Sequence, residues 1–147
     1  FLQPSMLLYA TSDFIHIGIT ALALTMVIIT GGIDLSVGSV LALCTVVGAT
    51  IMVREDLSPW MSIPLALLAC MATGAACGAI NGWVCEQWKL PSFIVTLGML
   101  NVASGLARVV SDNSTITGLP QPFVDFGNQI YFGVLPSLFL IATIRAS

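Results

Sequence analysis

The sequence predicts an all-α fold, a polytopic transmembrane bundle of about five spans, on three observations. The 147 residues are 57% hydrophobic and only 7% charged, against about 25% charged in soluble domains, and the mean hydropathy is +1.02. Five apolar stretches approach the length of about 20 residues that a spanning helix needs. Most of the 13 glycines fall inside those stretches, where they favour close helix contact. An open sheet would leave unpaired amides in hydrocarbon, and a barrel would show alternating ten-residue segments instead.

The first span runs from about Phe14 to Ile29 and the second from about Val37 to Val53. A Gly-Gly-broken helix at residues 31–38 separates their apolar cores. The third span runs from Trp60 to Val84, the fourth from about Phe93 to Val110, and the fifth from about Ile130 to Ile144. Short polar segments, "REDLSP" and "CEQWKLP", join the middle spans, and a longer loop, "SDNSTITGLPQPFVDFGNQ", follows the fourth. Trp60, Trp83, Trp88 and Tyr131 stand near span ends, as interfacial anchors do. Residues 1–147 read as part of one transmembrane domain. The start at Phe1 and the stop at Ser147, straight after an apolar run, read as a fragment, and no cleavable signal is legible near Phe1.

The net charge of −3 comes from 7 acidic and 4 basic residues, which gives no basic field for nucleic acid. Lys89 and Arg145 on the cytoplasmic side would place Glu55, Asp56, Asp112 and Asp125 outside, but Arg54 and Arg108 fall outside with them. The positive-inside rule is therefore nearly balanced, and the Lys89 side is read as cytoplasmic. Cys44, Cys70, Cys77 and Cys85 lie in apolar surroundings without a CxxC pair, and the chain has one histidine, His16, near the first span's start. The cysteines read as small hydrophobes and no metal site is expected.

Ala66, Cys70, Gly74, Gly78 and Gly82 recur every fourth residue in the third span. The stripe predicts helix packing through Gly74, Gly78 and Gly82, with a roomy pore lining as the second reading. Asn81, just before Gly82, reads first as a cap near a helix end and second as a partner for a polar solute. Pro91 suits a first helical turn, with Ser92 or its predecessors as cap. Ser92 and Thr96 lie four apart, on one face. They either return hydrogen bonds to their own backbone or line a polar path. Asn113 opens an "NST" acceptor motif that occurs often by chance, and its loop offers a docking surface. No phosphate-binding loop, GxSxG or HExxH occurs, so no catalytic residues are assigned.

Asp34 is the anomaly. A carboxylate at the centre of a spanning helix costs about 2.5–3.5 kcal/mol on insertion scales, so it must face protein, water or an interface. After Gly31 and Gly32 break the first helix, Asp34 can cap the second by accepting from the amide of Ser36 or Val37, near Gly38 in the new first turn. The string "TGGIDLSVGSV" is then either an interfacial turn between two spans or a break at membrane depth facing a cavity.

"MVIITGGIDLSVGSVLAL" resembles the signature of the permease subunits of bacterial ATP-binding cassette importers for monosaccharides, of the ribose, xylose, arabinose and galactoside type. "INGWVCEQWKLPSFIVTLGMLNVASGLA" and "ITGLPQPF" are similar to later blocks of the same permeases, so the resemblance runs from about Phe1 to Ile144. It implies the N-terminal half of a chain about twice as long, in the bacterial inner membrane, with the first span descending to the cytoplasm and residues 111–129 in the periplasm. It also implies a second permease copy, in a homodimer or heterodimer, and a periplasmic sugar-binding protein. ATP and magnesium would be held by a separate cytoplasmic ATPase subunit, with no cofactor in this chain. The substrate-path or helix-break residues would be Gly31, Gly32, Asp34, Ser36, Gly38, Asn81, Ser92 and Thr96. Related permeases carry nucleosides, autoinducer furanoses, polyols or branched-chain amino acids. An ion-coupled carrier using Asp34 and a purely structural membrane protein are the competing classes.

Overall fold

The computed structural model describes residues 4–128, and these are helical with no strand among them. The helices are α1 (Pro4–Ile29), α2 (Val37–Met52), α3 (Pro59–Trp88), α4 (Ser92–Val110) and the short α5 (Gln121–Asn128). Among the described residues α3 and α4 are long and apolar enough to cross a membrane, while Ile17–Ile29 and α2 are shorter apolar helices. The expected fifth span and Tyr131 lie outside the described residues. Contacts divide the chain into two compact units, residues 27–120 and the remainder. The first of these holds every site residue.

Helix ends follow local chemistry. At the end of α1 the Gly31 amide donates to the Ile28 carbonyl at 2.9 Å and the Gly32 amide to the Val27 carbonyl at 3.0 Å. These are the paired bonds of a Schellman stop, and Gly31 takes the left-handed backbone, φ +76°, that the motif needs. The end of α4 repeats the pattern without glycine: Asp112 (φ 51°) donates to Val109, and Asn113 to Arg108. Pro59 opens α3, where its missing N–H costs nothing, and the amides of Met61 and Ser62 both donate to the Ser58 carbonyl at 2.9 Å. Lys89 (φ 54°) ends α3, and Pro91 stands at the N-cap of α4, one position earlier than the sequence suggests, with no side-chain cap bond. In the α2–α3 loop Arg54 grips Asp56 with two bonds of 3.0 and 2.9 Å. This hydrogen-bonded guanidinium holds the exposed Asp56 carboxyl below its ordinary range.

α2 and α3 pack antiparallel, with Ser36 opposite Asn81 and Gly48 opposite Cys70. Leu35 meets Thr96 near the start of both α2 and α4, and Leu43, Cys77, Met99, Ala103 and Ala107 form the buried core, covered by Val40, Val46 and Val47. The contact residues are small: Ala66 and Ala103 are fully buried. The large apolar side chains point outward instead, Trp60 and Val109 among them, as in helices that face lipid or further helices.

Among the described residues α3 meets its neighbours largely through a face other than the expected glycine stripe. Its buried residues are Ser62, Ala66, Cys77 and Asn81. A side chain at Gly74 would only touch Cys44 Sγ at 3.6 Å, and among the described residues nothing lies within 4 Å of one at Gly78 or Gly82. The cause is helical pitch. At about 100° per residue, a strict four-residue step drifts about 40° each time, so a stripe that begins in the contact at Ala66 has turned about 160° by Gly82. The close approach comes from the other helix. A Cβ at Gly48 would lie 2.6 Å from Cys70 Sγ, and Cys70 donates its thiol hydrogen to the Cys44 carbonyl at 3.1 Å.

Candidate functional site

The chain between α1 and α2 leaves the helix for seven residues, 30–36. The Gly31 and Gly32 amides are met by the end of α1, but those of Ile33 and Leu35 are out of reach of helical acceptors, so their partners decide whether the segment can be buried. α4 supplies them. The Ile33 amide donates to Ser92 Oγ at 2.8 Å, and the Leu35 amide to Thr96 Oγ1 at 3.2 Å. Thr96 Oγ1 also lies 3.2 Å from the Ile33 carbonyl and 3.3 Å from the Phe93 carbonyl, either of which takes its hydroxyl hydrogen. Ser92 and Thr96, one turn apart on α4, thus clamp the break from about sixty residues away in sequence. Gly32 admits the clamp: a Cβ there would lie 3.3 Å from both Ser92 Oγ and the Val27 carbonyl, and 3.1 Å from Val27 Cγ1.

The restart of helix is organised by Asp34. Its Oδ1 accepts from the Ser36 amide at 2.8 Å and from Ser36 Oγ at 2.7 Å. This is an Asx turn that fixes the residue two positions on, and Ser36 itself stands at the N-cap of α2. Because the Ser36 hydroxyl is turned back to Asp34, no side chain caps α2 directly. The carboxylate still sits where the positive end of the helix dipole favours it. Gly38, in the first turn of α2, meets open space.

Asn81 completes the group. It is buried, 9% exposed, and its Nδ2 donates to Ser36 Oγ at 3.2 Å. The capping role that the sequence suggested does not hold, because α3 runs on through Trp88 and Asn81 stands in its interior. Among the described residues its Oδ1 is buried without a hydrogen-bond partner. Beside it, Asp34, Ser36, Val37, Val40, Leu41, Cys44, Gly74 and Gly78 line a cleft of about 260 Å³ between α2 and α3. One end of the cleft is polar, one wall is branched and apolar, and the two glycines leave it open.

Thr96→Val preserves shape while deleting the hydroxyl that serves the break. The Leu35 amide, in a part-buried bond, loses its acceptor, at a cost of about 0.5–1.5 kcal/mol for one hydrogen bond. The melting temperature of the detergent-purified protein should fall clearly, whereas Thr96→Ser should stay near the parent.

A family described as the permease component of branched-chain amino acid transport systems matches residues 6–145. The chain belongs to this family. Among curated relatives, the permease chain is 39% identical over 139 residues to the autoinducer 2 import system permease protein LsrD of Escherichia coli strain K12, and equally so to LsrD of Shigella flexneri. The aligned region covers 90% of this permease chain and 41% of each relative, so the chain spans well under half of their length. No solved structure matches it. The family match agrees with the permease resemblance of the sequence, and its description names the amino acid branch of that group.

Proposed function

We propose that this chain forms part of the translocation path of an ATP-binding cassette importer for a small hydroxylated, sugar-type solute, in the bacterial inner membrane. The clamped break beside the α2–α3 cleft is the observation that carries the reading, and family membership over residues 6–145 supports it. The physical argument concerns depth. Sixteen residues make α2 about 24 Å long, short of a hydrocarbon core of about 30 Å. With the Arg54–Asp56 pair at one surface, α2 ends before the other, and the Ile33–Ser36 stretch completes the crossing. Non-helical backbone at that depth is tolerated only where protein satisfies it or a cavity receives it. Ser92, Thr96 and Asp34 provide the first condition and the cleft provides the second.

The chain crosses the membrane several times within a single permease domain, with the Lys89 end cytoplasmic. A separate ATPase binds ATP and magnesium, a periplasmic binding protein delivers the solute, and a second permease copy closes the path. The chain contributes no bond-breaking chemistry. The test is uptake of labelled solute by the full-length permease in proteoliposomes with both partners. Import should require ATP inside and the binding protein outside; import driven by a proton gradient alone would overturn the reading.

A further inference from the structure

The Asp34–Ser36–Asn81 chain fixes the direction of every hydrogen in it. Ser36, with one hydroxyl hydrogen, gives it to Asp34 Oδ1 at 2.7 Å. The Ser36 oxygen then has only lone pairs to offer, and it receives an N–H from Asn81 at 3.2 Å. This orients the Asn81 amide, leaving Oδ1 as an acceptor that lacks a donor among the described residues. Asn81 is about nine-tenths buried and lines the α2–α3 cleft. A buried oxygen of this kind calls for a donor, and an incoming hydroxyl is one.

We propose that Asn81 Oδ1 accepts a hydrogen bond from a hydroxyl of the solute in the cleft lined by Asp34, Val40, Leu41, Gly74 and Gly78, and so selects neutral hydroxylated cargo; the assignment rests on the importer reading above. The lining chemistry disfavours anionic competitors. Carboxylates and phosphates carry only acceptors towards Oδ1, and they would face Asp34 with no lysine or arginine in the lining to receive them. A zwitterionic amino acid meets that difficulty at its carboxylate, but its ammonium could donate to Oδ1 and face Asp34, so leucine is the comparison that separates the two classes. A sugar ring presents hydroxyls to Asn81 and C–H faces to Val40 and Leu41, while Gly74 and Gly78 leave room for the ring.

The experiment uses the full-length permease with its ATPase and binding protein in proteoliposomes. Labelled D-ribose, D-xylose and autoinducer 2 are the hydroxylated probes, and L-leucine is the comparison. ATP-driven import of at least one hydroxylated probe is expected, with Asn81→Ala raising its KM about tenfold, the loss of roughly one hydrogen bond. A second arm places Asn81→Cys in a background where Cys44, Cys70, Cys77 and Cys85 are alanine. A water-soluble methanethiosulfonate should modify the new thiol, and the imported probe should slow the modification. An unreactive thiol, an unchanged KM in Asn81→Ala, or import of leucine alone overturns the assignment. Should Asn81→Ala fail to assemble, the thiol arm decides. The two proposals fail differently: wild-type import without ATP sinks the importer reading, whereas ATP-driven import indifferent to Asn81 sinks only the role of its oxygen.

Discussion

Gly48→Leu should be the most damaging single change in the α2–α3 contact, lowering stability by about 3 kcal/mol or more, as strong overpacking does. Even one carbon at this position would stand 2.6 Å from Cys70 Sγ, with the Ala66 carbonyl behind it at 3.9 Å. Backbone cannot yield as a long side chain can. Gly48→Ala is the informative variant because two effects oppose each other. Alanine is better than glycine in a helix interior by about 1 kcal/mol, but its methyl must displace a thiol that is bonded to the Cys44 carbonyl. Gly48→Ala alone should therefore be neutral or destabilising. Combined with Cys70→Ala it should recover the helix preference and melt at or above the parent. Melting of the purified single and double variants gives the coupling between the two positions, and additive effects would remove the claim that sulfur and glycine share one space.

Helices α1 to α4 and their order were legible because apolar runs bounded by Gly, Pro and charge have one reading in a membrane, whereas α5 fell in a stretch read as loop. The packing face was not. The four-residue stripe from Ala66 to Gly82 is a pattern of small residues, and smallness alone does not report which side of a helix meets a neighbour. Only the register does. Once Ser36 stands opposite Asn81, counting down one antiparallel helix and up the other brings Gly48 within one residue of Cys70. That pairing was the signal that could have singled out Gly48, a residue the motifs passed over.

The candidate site was legible in its members and obscure in its connections. Gly31, Gly32, Asp34, Ser36, Asn81, Ser92 and Thr96 all stood out by type and spacing, and the structure brings them together around the break between α1 and α2. Their partners were hidden because hydroxyls on a helix have an ordinary local use, bonding a carbonyl one turn back. Thr45 and Thr50 do so, to Leu41 and Val46. Ser92 and Thr96 differ because the break leaves amides within their reach. Val40, Leu41 and Cys44 in the cleft wall gave no sign, since three apolar residues of a spanning helix look like any others.

Asp34 is the position at which folding and transport mechanism separate. Asp34→Ala removes the acceptor for the Ser36 amide and hydroxyl, and Ser36 is 1% exposed, so water cannot replace it. One buried donor left unmet costs about 1–3 kcal/mol, and the loss of a charge-assisted pair adds to it. The variant should express poorly and melt well below the parent. Asp34→Asn keeps a carbonyl oxygen in the same place and forfeits only charge, including about 0.3–1 kcal/mol of favourable interaction with the helix dipole. It should fold, with a small decrease in melting temperature. An ion-coupled carrier that loads a proton or cation on Asp34 would lose uptake completely in this folded variant. In the importer, where the carboxylate holds Ser36 and through it Asn81, ATP-driven uptake by Asp34→Asn should persist. Folded but inactive protein would move Asp34 from the scaffold of the break to the chemistry of coupling.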